Sequence, residues 1–564
     1  MTGGGAAVVR RAAPAAWALA LSVLLLGPAL GPGYLLTYDM VWVPDLALRS
    51  DFLGLGTALP RAVPSDAVVA VLDEVVPGMV LQKVVLFGAL LLGGLGAAAL
   101  AGRSTIARLA AVSAYVWSPY VVERLWIGHW PLLLCWAVLP WLVREGIRLR
   151  TDPRIGAALP LLLVLGSLNA NAGLMSAATL LALGATRRTA GRLVALVLAA
   201  NAPWLAAGLL HLDVATSSTA GAVFGLNAEG SLPAPLAALT LGGIWNAEVV
   251  PASRELLVLP LVLTVAFVAL AVAGLRPQAR RLGRRTTGAL VGLWLAGYLA
   301  AVLSWASPDL VGWLAANVPA GGLLRDGSRS LALCAPLTAA VLAEGVLRCA
   351  AHAPRILVGA AGALLPLAFL PDAAWGISGQ LRPADYPAEW SAARADLGEG
   401  RGDLLVLPFT SYRAPDWNHG RKVLDPLPRY LEPNYVVNDQ LAVDGRIIEG
   451  EDPRVPDVLG AIALPDAGDR AVALAELGIG AVVLDRTAPT SALYGADVAG
   501  TVVHDGPALE VTLLDGPVAD RDTPGSWRLI LGAAWAAFAS LGVLGLVNLL
   551  RAAATRSRAG RHTG

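Results

Sequence analysis

The sequence predicts a polytopic α-helical membrane protein, with about 12 transmembrane helices and an extracytoplasmic α/β domain. Three observations lead there. Apolar residues make up 56% of the 564 and charged residues only 15%, with mean hydropathy +0.63, a balance too apolar for a water-soluble globule. Apolar runs near 20 residues recur along most of the chain, and ~20 residues are what a helix needs to cross ~30 Å of hydrocarbon. Charge is also segregated: residues 376–526 hold 12 Lys/Arg against 24 Asp/Glu, which leaves 30 basic and 17 acidic residues elsewhere. One acidic, water-facing domain is therefore set into a basic membrane body. Nucleic acid is not an expected partner, because an acidic surface repels phosphate. Cys135, Cys334 and Cys349 lie in or beside apolar runs, so neither a disulfide framework nor a zinc spacing is available.

The spans fall near 13–34, 79–101, 105–120, 130–147, 155–170, 171–186, 191–210, 256–275, 287–306, 330–347, 355–373 and 527–550. Each is a helix, the economical way to pair every backbone group in lipid. Asn169 and Asn171 in "SLNANAG" break the 155–186 stretch with a tight turn. Orientation follows from arginine. Alternate loops carry Arg10/Arg11, Arg103/Arg108, Arg144/Arg148/Arg150/Arg154, Arg187/Arg188/Arg192, Arg276/Arg280/Arg281/Arg284/Arg285, Arg348/Arg355 and the tail Arg551/Arg556/Arg558/Arg561, 22 of the 30 basic residues outside 376–526. Positive loops stay inside, which puts both termini in the cytoplasm of a plasma-membrane protein and residues 376–526 outside. The first span follows "VVRR" as a signal peptide would. Its ~20 apolar residues and the lack of a small-x-small cleavage site in "GPALGPGYLLTYD" make it an uncleaved anchor. The chain divides into a membrane body, 1–375, an acidic α/β domain, 376–526, and a last helix with a basic tail, 527–564.

Two outer segments are long. Residues 35–78 contain the apolar patches "YDMVWVPDLAL" and "FLGLGTALP" and then "SDAVVAVLDEVV". There Val68, Val69, Leu72 and Val75/Val76 follow helical spacing, opposite Asp66, Asp73 and Glu74, as in a helix lying along a membrane surface. The acidic segment alternates "DLLVLPF" (403–409), a helix near 468–477, "GIGAVVLDR" (478–486) and a hairpin over 500–515, the order of a small α/β domain.

Candidate chemistry gathers in the outer loops. Asp39, directly after the first span, needs a reason to sit at a membrane surface. It reads either as a general base toward an acceptor hydroxyl or as a solvated interfacial acid. The loop "SPYVVERLWIGHWP" (118–131) crowds Glu123, Arg124 and His129 among Tyr120, Trp126 and Trp130. These aromatics suit an interfacial belt, while the acid and imidazole suit a divalent cation or a phosphate-linked leaving group. In "GGLLRDGSRSLALCAP" (321–336), Arg325 and Arg329 stand four apart where the positive-inside rule disfavours them. They suit a phosphate, or else ion pairs with Asp326 or Asp309. His211, Glu229 and Glu248 have no telling spacing, and Lys83 snorkels at the second span. Walker, dinucleotide-glycine, His-Glu-x-x-His and serine-elbow motifs are absent, and glycine runs inside spans are helix-packing sites.

The plan as a whole resembles the GT-C membrane glycosyltransferases: an acid right after the first span, a long first outer loop with an amphipathic helix, a second acid between spans three and four, and a large outer domain. It looks most like the actinobacterial arabinofuranosyltransferase-type and YfhO-like proteins. "LLRDGSRSLALCAPLTA" is similar to their arginine-bearing segment at a late span entrance, and "PAEWSAARADL…DLLVLPF" to the start of their extracytoplasmic domains. The resemblance implies a polyprenyl-phosphate sugar donor, an envelope glycan acceptor outside the cytoplasm, and often a divalent cation such as Mg²⁺ or Mn²⁺. By position Asp39 would be the catalytic base and Glu123 the second acid, both open as metal ligands. Arg325, Arg329, Arg124 and His129 would meet the donor phosphate, and Tyr38, Trp42, Trp126 and Trp130 would stack on sugar. "TYDM" carries one acid where several branches carry a pair. A transporter or flippase for lipid-linked glycans and a non-catalytic envelope-assembly protein are the alternatives. Few charges lie at mid-membrane and no repeat is evident, which counts against a transporter.

Overall fold

The computed structural model describes residues 3–561 apart from 215, 444–445, 489–496 and 522. Among them seven helices are long and apolar enough to cross a membrane: Ala12–Leu30, Gly78–Leu100, Ala190–Leu210, Leu259–Leu282, Arg284–Ala306, Gly327–Cys349 and Gly525–Thr555. Arg355–Phe369 with Pro371–Gly379 makes an eighth if the pair, bent by 75°, is one span. The remaining predicted spans meet shorter or more polar helices. Thr105–Val116 has 12 residues, Leu159–Leu165 seven and Ala170–Gly184 15, and the 20 of Trp130–Leu149 take in Arg144, Glu145 and Arg148. At about 1.5 Å per residue, Leu159–Leu165 rises only ~10 Å. The turn expected at Asn169 is present: its side-chain oxygen accepts from Ala172 N at 2.8 Å and caps the next helix.

Burial separates central from peripheral helices. In Gly327–Cys349 83% of the apolar window is buried, against 17% in Leu259–Leu282. The peripheral helices expose Val262, Val265, Val272, Leu529 and Leu550, side chains that water solvates poorly and lipid solvates well. Isolated glycines bring two of the helices into close contact. A Cβ at Gly345 would lie 2.1 Å from Leu270 O, and one at Gly274 only 1.8 Å from Val341 O. Leu259–Leu282 and Ala335–Cys349 therefore meet backbone to backbone.

The α/β region carries a five-stranded sheet: β1 Asp403–Leu407, β2 Tyr435–Val436, β3 Ile479–Asp485, β4 Gly500–Asp505 and β5 Leu509–Leu514, in spatial order β2-β1-β3-β5-β4. β1 is parallel to β2 and β3, while β5 is antiparallel to β3 and β4. Successive strand residues point to opposite faces. Leu405, Leu407 and Val482 pack on Val458 and Leu474 of the helices Val455–Ile462 and Ala467–Glu476. Leu404, Val406 and Val483 face the other way, into a core that holds Trp390 and Leu397 and continues into the helical body through Leu36 and Trp117.

The segment 35–78 is the platform between the two. Buried Arg49 donates from Nε to Pro433 O at 2.7 Å and Glu432 O at 3.1 Å. Asp45 pairs with Arg394, Asp51 with Arg521 and Asp66 with Arg429. The amphipathic helix forms over Ser65–Asp73, but its polar side does not face water throughout. Asp66 is buried in its ion pair, while Val71 and Leu72, with Val75 just beyond, are exposed.

Candidate functional site

A cavity of about 1280 Å³ lies between the helical body and the α/β region. Asp39 stands in its wall, and local geometry explains why. Thr37 N donates to Met40 O at 3.3 Å and Met40 N to Thr37 O at 2.8 Å, closing a turn in which Tyr38 takes φ 43°. That left-handed conformation costs a non-glycine residue about 1–3 kcal/mol and persists only where neighbours hold it. Tyr38 N donates to Lys422 O and Leu424 N to Tyr38 O, both at 2.8 Å, while Asp39 N donates to Ile127 O at 3.0 Å. Gly128, φ 91°, passes so close that a Cβ there would lie 2.2 Å from Met40 N. Only glycine fits.

The Asp39 carboxylate is 40% exposed to the cavity and accepts two hydrogen bonds. His129 Nε2 approaches Oδ2 at 3.1 Å, and the Tyr412 hydroxyl donates to Oδ1. Enclosure opposes ionisation of Asp39. The bonds from His129 and Tyr412 and the charge of Arg329 outweigh it, so the carboxyl sits below its ordinary range. His129 is shifted down by enclosure, reinforced by Arg124 and Arg329 and opposed by Asp39, so the neutral imidazole prevails at pH 7. Its tautomer follows. Arg124 Nη1 lies 2.9 Å from His129 Nδ1 and can only donate, so the ring proton is on Nε2 and points at Asp39. Both imidazole nitrogens are thereby committed. His129 aims Asp39 and has no lone pair left to act as a base.

Behind His129 lies a buried ionic chain. Arg124 is 1% exposed, meets Asp326 Oδ2 at 3.1 Å, donates to Ser328 and stacks on Tyr120. Asp326 also takes Arg329 Nε at 2.9 Å. Burial opposes its ionisation, but Arg124 and Arg329 overcome this and hold it well below the usual carboxylate range. Arg325 belongs to a second group, in which Glu451 is shared by Arg325 at 2.8 Å and Arg61 at 2.5 Å. Burial, with the nearby Arg61 and Arg329 charges, brings Arg325 down to about 9 despite Glu451. Positive charge is thus crowded in this wall. Arg325 and Arg329 therefore make ion pairs, Arg329 with the expected Asp326, yet each carboxylate serves two arginines and both arginines line the cavity.

Tyr38 and Trp130 line the cavity, and the Tyr38 hydroxyl donates to Glu248 Oε2 at 2.7 Å. Trp42 is instead buried against Trp130, with ring centroids 5.2 Å apart, and Trp126 packs beside Ile127 outside the lining. Glu123 is also elsewhere. It is 2% exposed beside Glu229 and Arg254, both fully buried, and its Oε1 has no hydrogen-bond partner. Burial, then the Glu229 charge, raise its carboxyl well above the ordinary range against the pull of Arg254. The expectation of two acids working together is corrected: Asp39 faces the cavity, whereas Glu123 is buried beside Glu229, which takes the Arg254 ion pair. Its carboxyl lies on the short helix Pro119–Trp126, whose neighbour Arg124 turns to His129.

Sequence reading missed Tyr412, Arg61, Glu451, Trp245, and Lys422, which pairs with Glu248 at 2.7 Å. Arg61 had one available signal, an arginine in a predicted outer loop. Tyr412, 373 residues from Asp39, had none. Among the described residues no three His, Cys, Asp or Glu side chains converge as a metal site. With Asp39 bonded to His129 and Tyr412 and Glu123 turned away, the residues present do not fit the implied divalent cation. Comparison with known protein families, curated proteins and solved structures finds no match.

Proposed function

We propose that the chain is a GT-C-type membrane glycosyltransferase that moves a sugar from a polyprenyl-phosphate donor to a cell-envelope glycan or lipid acceptor on the outer face of the plasma membrane. The observation that carries the reading is the cavity around Asp39. It combines an aimed carboxylate, two arginines in excess of their acids, aromatic side chains and an apolar flank from Trp204, Leu205, Leu209 and Leu212. A lipid-linked donor, with a greasy tail and an anionic head, needs all four. The topology that goes with it has both termini cytoplasmic and residues 376–526 outside, following the arginine pattern.

In this mechanism Asp39 accepts the proton of the acceptor hydroxyl as its oxygen bonds to the anomeric carbon, and the bond from that carbon to the phosphate oxygen breaks. The electron pair leaves with the polyprenyl phosphate, which Arg325 and Arg329 stabilise. Tyr38 and Trp130 offer faces to the sugar. His129 keeps Asp39 ionised and aimed, and Arg124 keeps His129 in its tautomer. No step is routed through a divalent cation.

Transfer from a panel of polyprenyl-phosphoryl sugars to envelope-glycan fragments by protein reconstituted in nanodiscs tests the reading. Wild type should transfer, and Asp39→Asn should fall about 10²–10⁴-fold with folding unchanged. Equal rates for the two proteins would overturn the reading. Translocation of intact lipid-linked glycan across vesicles without transfer would favour a flippase instead.

A further inference from the structure

The segment that presents Asp39 is hydrogen-bonded into the α/β region. There Tyr412–Arg413 runs antiparallel to Val423–Leu424, with Tyr412 opposite Leu424 and Arg413 opposite Val423. Tyr38 bridges Val423 in parallel fashion, through Tyr38 N to Lys422 O and Leu424 N to Tyr38 O. The result is a three-strand ribbon with Asp39 at the rim of one outer strand and Tyr412 on the other. Tyr412 is not loosely placed. Its neighbour Arg413 is clamped by Asp425 at 2.8 Å and by Asp485 at the end of β3, so the ribbon is tied to the main sheet. From this fixed position the Tyr412 hydroxyl donates to Oδ1 while His129 serves Oδ2. One donor thus comes from the helical body and the other from the α/β region.

We propose that Tyr412 is a positioning residue through which the α/β region aims and charges Asp39, so that the transfer site is complete only when that region is docked. The inference rests on the glycosyltransferase reading for its catalytic meaning, though its geometry stands apart from it. A carboxylate has roughly four lone-pair directions. With His129 and Tyr412 each taking one, the remaining directions point at the cavity, where an acceptor hydroxyl arrives. The charged or titratable groups that bear on Asp39 are His129, Arg329, Arg61 and Tyr412. Of these Tyr412 is the one a single atom's removal deletes without moving a formal charge. Tyr412 itself is pushed well above the ordinary phenol range by burial and then by the Asp39 charge, so it stays a donor across the working pH.

The test is infrared titration of the Asp39 carboxyl in full-length protein in nanodiscs, with Asp39→Asn as the subtraction reference. Tyr412→Phe should move the Asp39 midpoint upward, because a hydrogen bond that favours the charged form is lost. Fluorotyrosine at position 412, a stronger donor of the same shape, should move it downward. The same two proteins should shift the acid limb of the transfer-rate profile in those directions, with KM for the donor unchanged. Identical midpoints in wild type and Tyr412→Phe would overturn the proposal. If Tyr412→Phe fails to fold, the fluorotyrosine protein decides alone: an unmoved midpoint overturns the proposal and a lowered one supports it. Failure of the broader reading looks different, since there Asp39→Asn transfers sugar as wild type does while the titration still shifts.

Discussion

Two acids that look alike in the sequence are separated by what surrounds them. Asp39 meets donors and stays charged. Glu123 is buried beside another acid, and burial followed by the Glu229 charge raises its carboxyl well above the usual range. The sign of the consequence is fixed: a carboxyl whose folded pKa is raised adds no penalty below its unfolded value of ~4.3 and costs stability as pH rises from there toward the folded value. Glu123→Gln mimics the protonated form, so it should match wild type in thermal melts near pH 4 and be the more stable protein at pH 8. Its sugar transfer should stay within about threefold of wild type, under 1 kcal/mol of barrier. A collapse of transfer comparable with Asp39→Asn would return Glu123 to the chemistry.

At the scale of elements, helix packing at two isolated glycines is the feature most open to test. Gly345 and Gly274 let two helices touch through backbone, and Gly345→Val would drive a branched side chain into Leu270 O. Overpacking of that kind costs about 1–3 kcal/mol, so the melting temperature should fall clearly while Gly292→Ala, where a Cβ meets nothing within 4 Å, should leave it unchanged. A Gly345→Val protein as stable as wild type would refute the close contact. Element identity was readable in advance where periodicity was strong: the strands over 403–407, 479–485 and 500–514 and the helix over 467–476 fall where alternation and turn residues put them. Span lengths were less readable. Apolar composition marks a segment as buried in something, and a short helix packed among other helices has the same composition as one that reaches across lipid.

For the whole molecule, orientation yields to chemical labelling because the three cysteines are already well distributed. Cys135 and Cys334 are buried and silent, whereas Cys349 is exposed at the end of Gly327–Cys349, on the side the arginine pattern places inside. In intact cells a membrane-impermeant maleimide should miss Cys349 and react with a cysteine introduced at exposed Ser391, on the helix Glu389–Leu397. Ser411 would report nothing, being buried by its own hydrogen bonds to Asn438 O and Gln440 O. Labelling of Cys349 with protection of Ser391→Cys would invert the topology.

The sequence by itself determined that this protein is helical and apolar and where its arginines cluster, and it offered Asp39, Glu123, Arg124, His129, Arg325 and Arg329 as candidates. Those are properties of local composition and spacing, which hydrophobic and charge terms read one segment at a time. Only the tertiary structure decided which of them meet. Arg124 lies next to Glu123 in the chain yet works with His129 and Asp326, because residues adjacent on a helix point about 100° apart and face different neighbours. Arg325 and Arg329 end in separate ion pairs because Glu451 arrives from one side and Asp326 from the other. Tyr412 reaches Asp39 across 373 residues because a ribbon of the α/β region hydrogen-bonds to the turn at Tyr38, a pairing that no local pattern encodes.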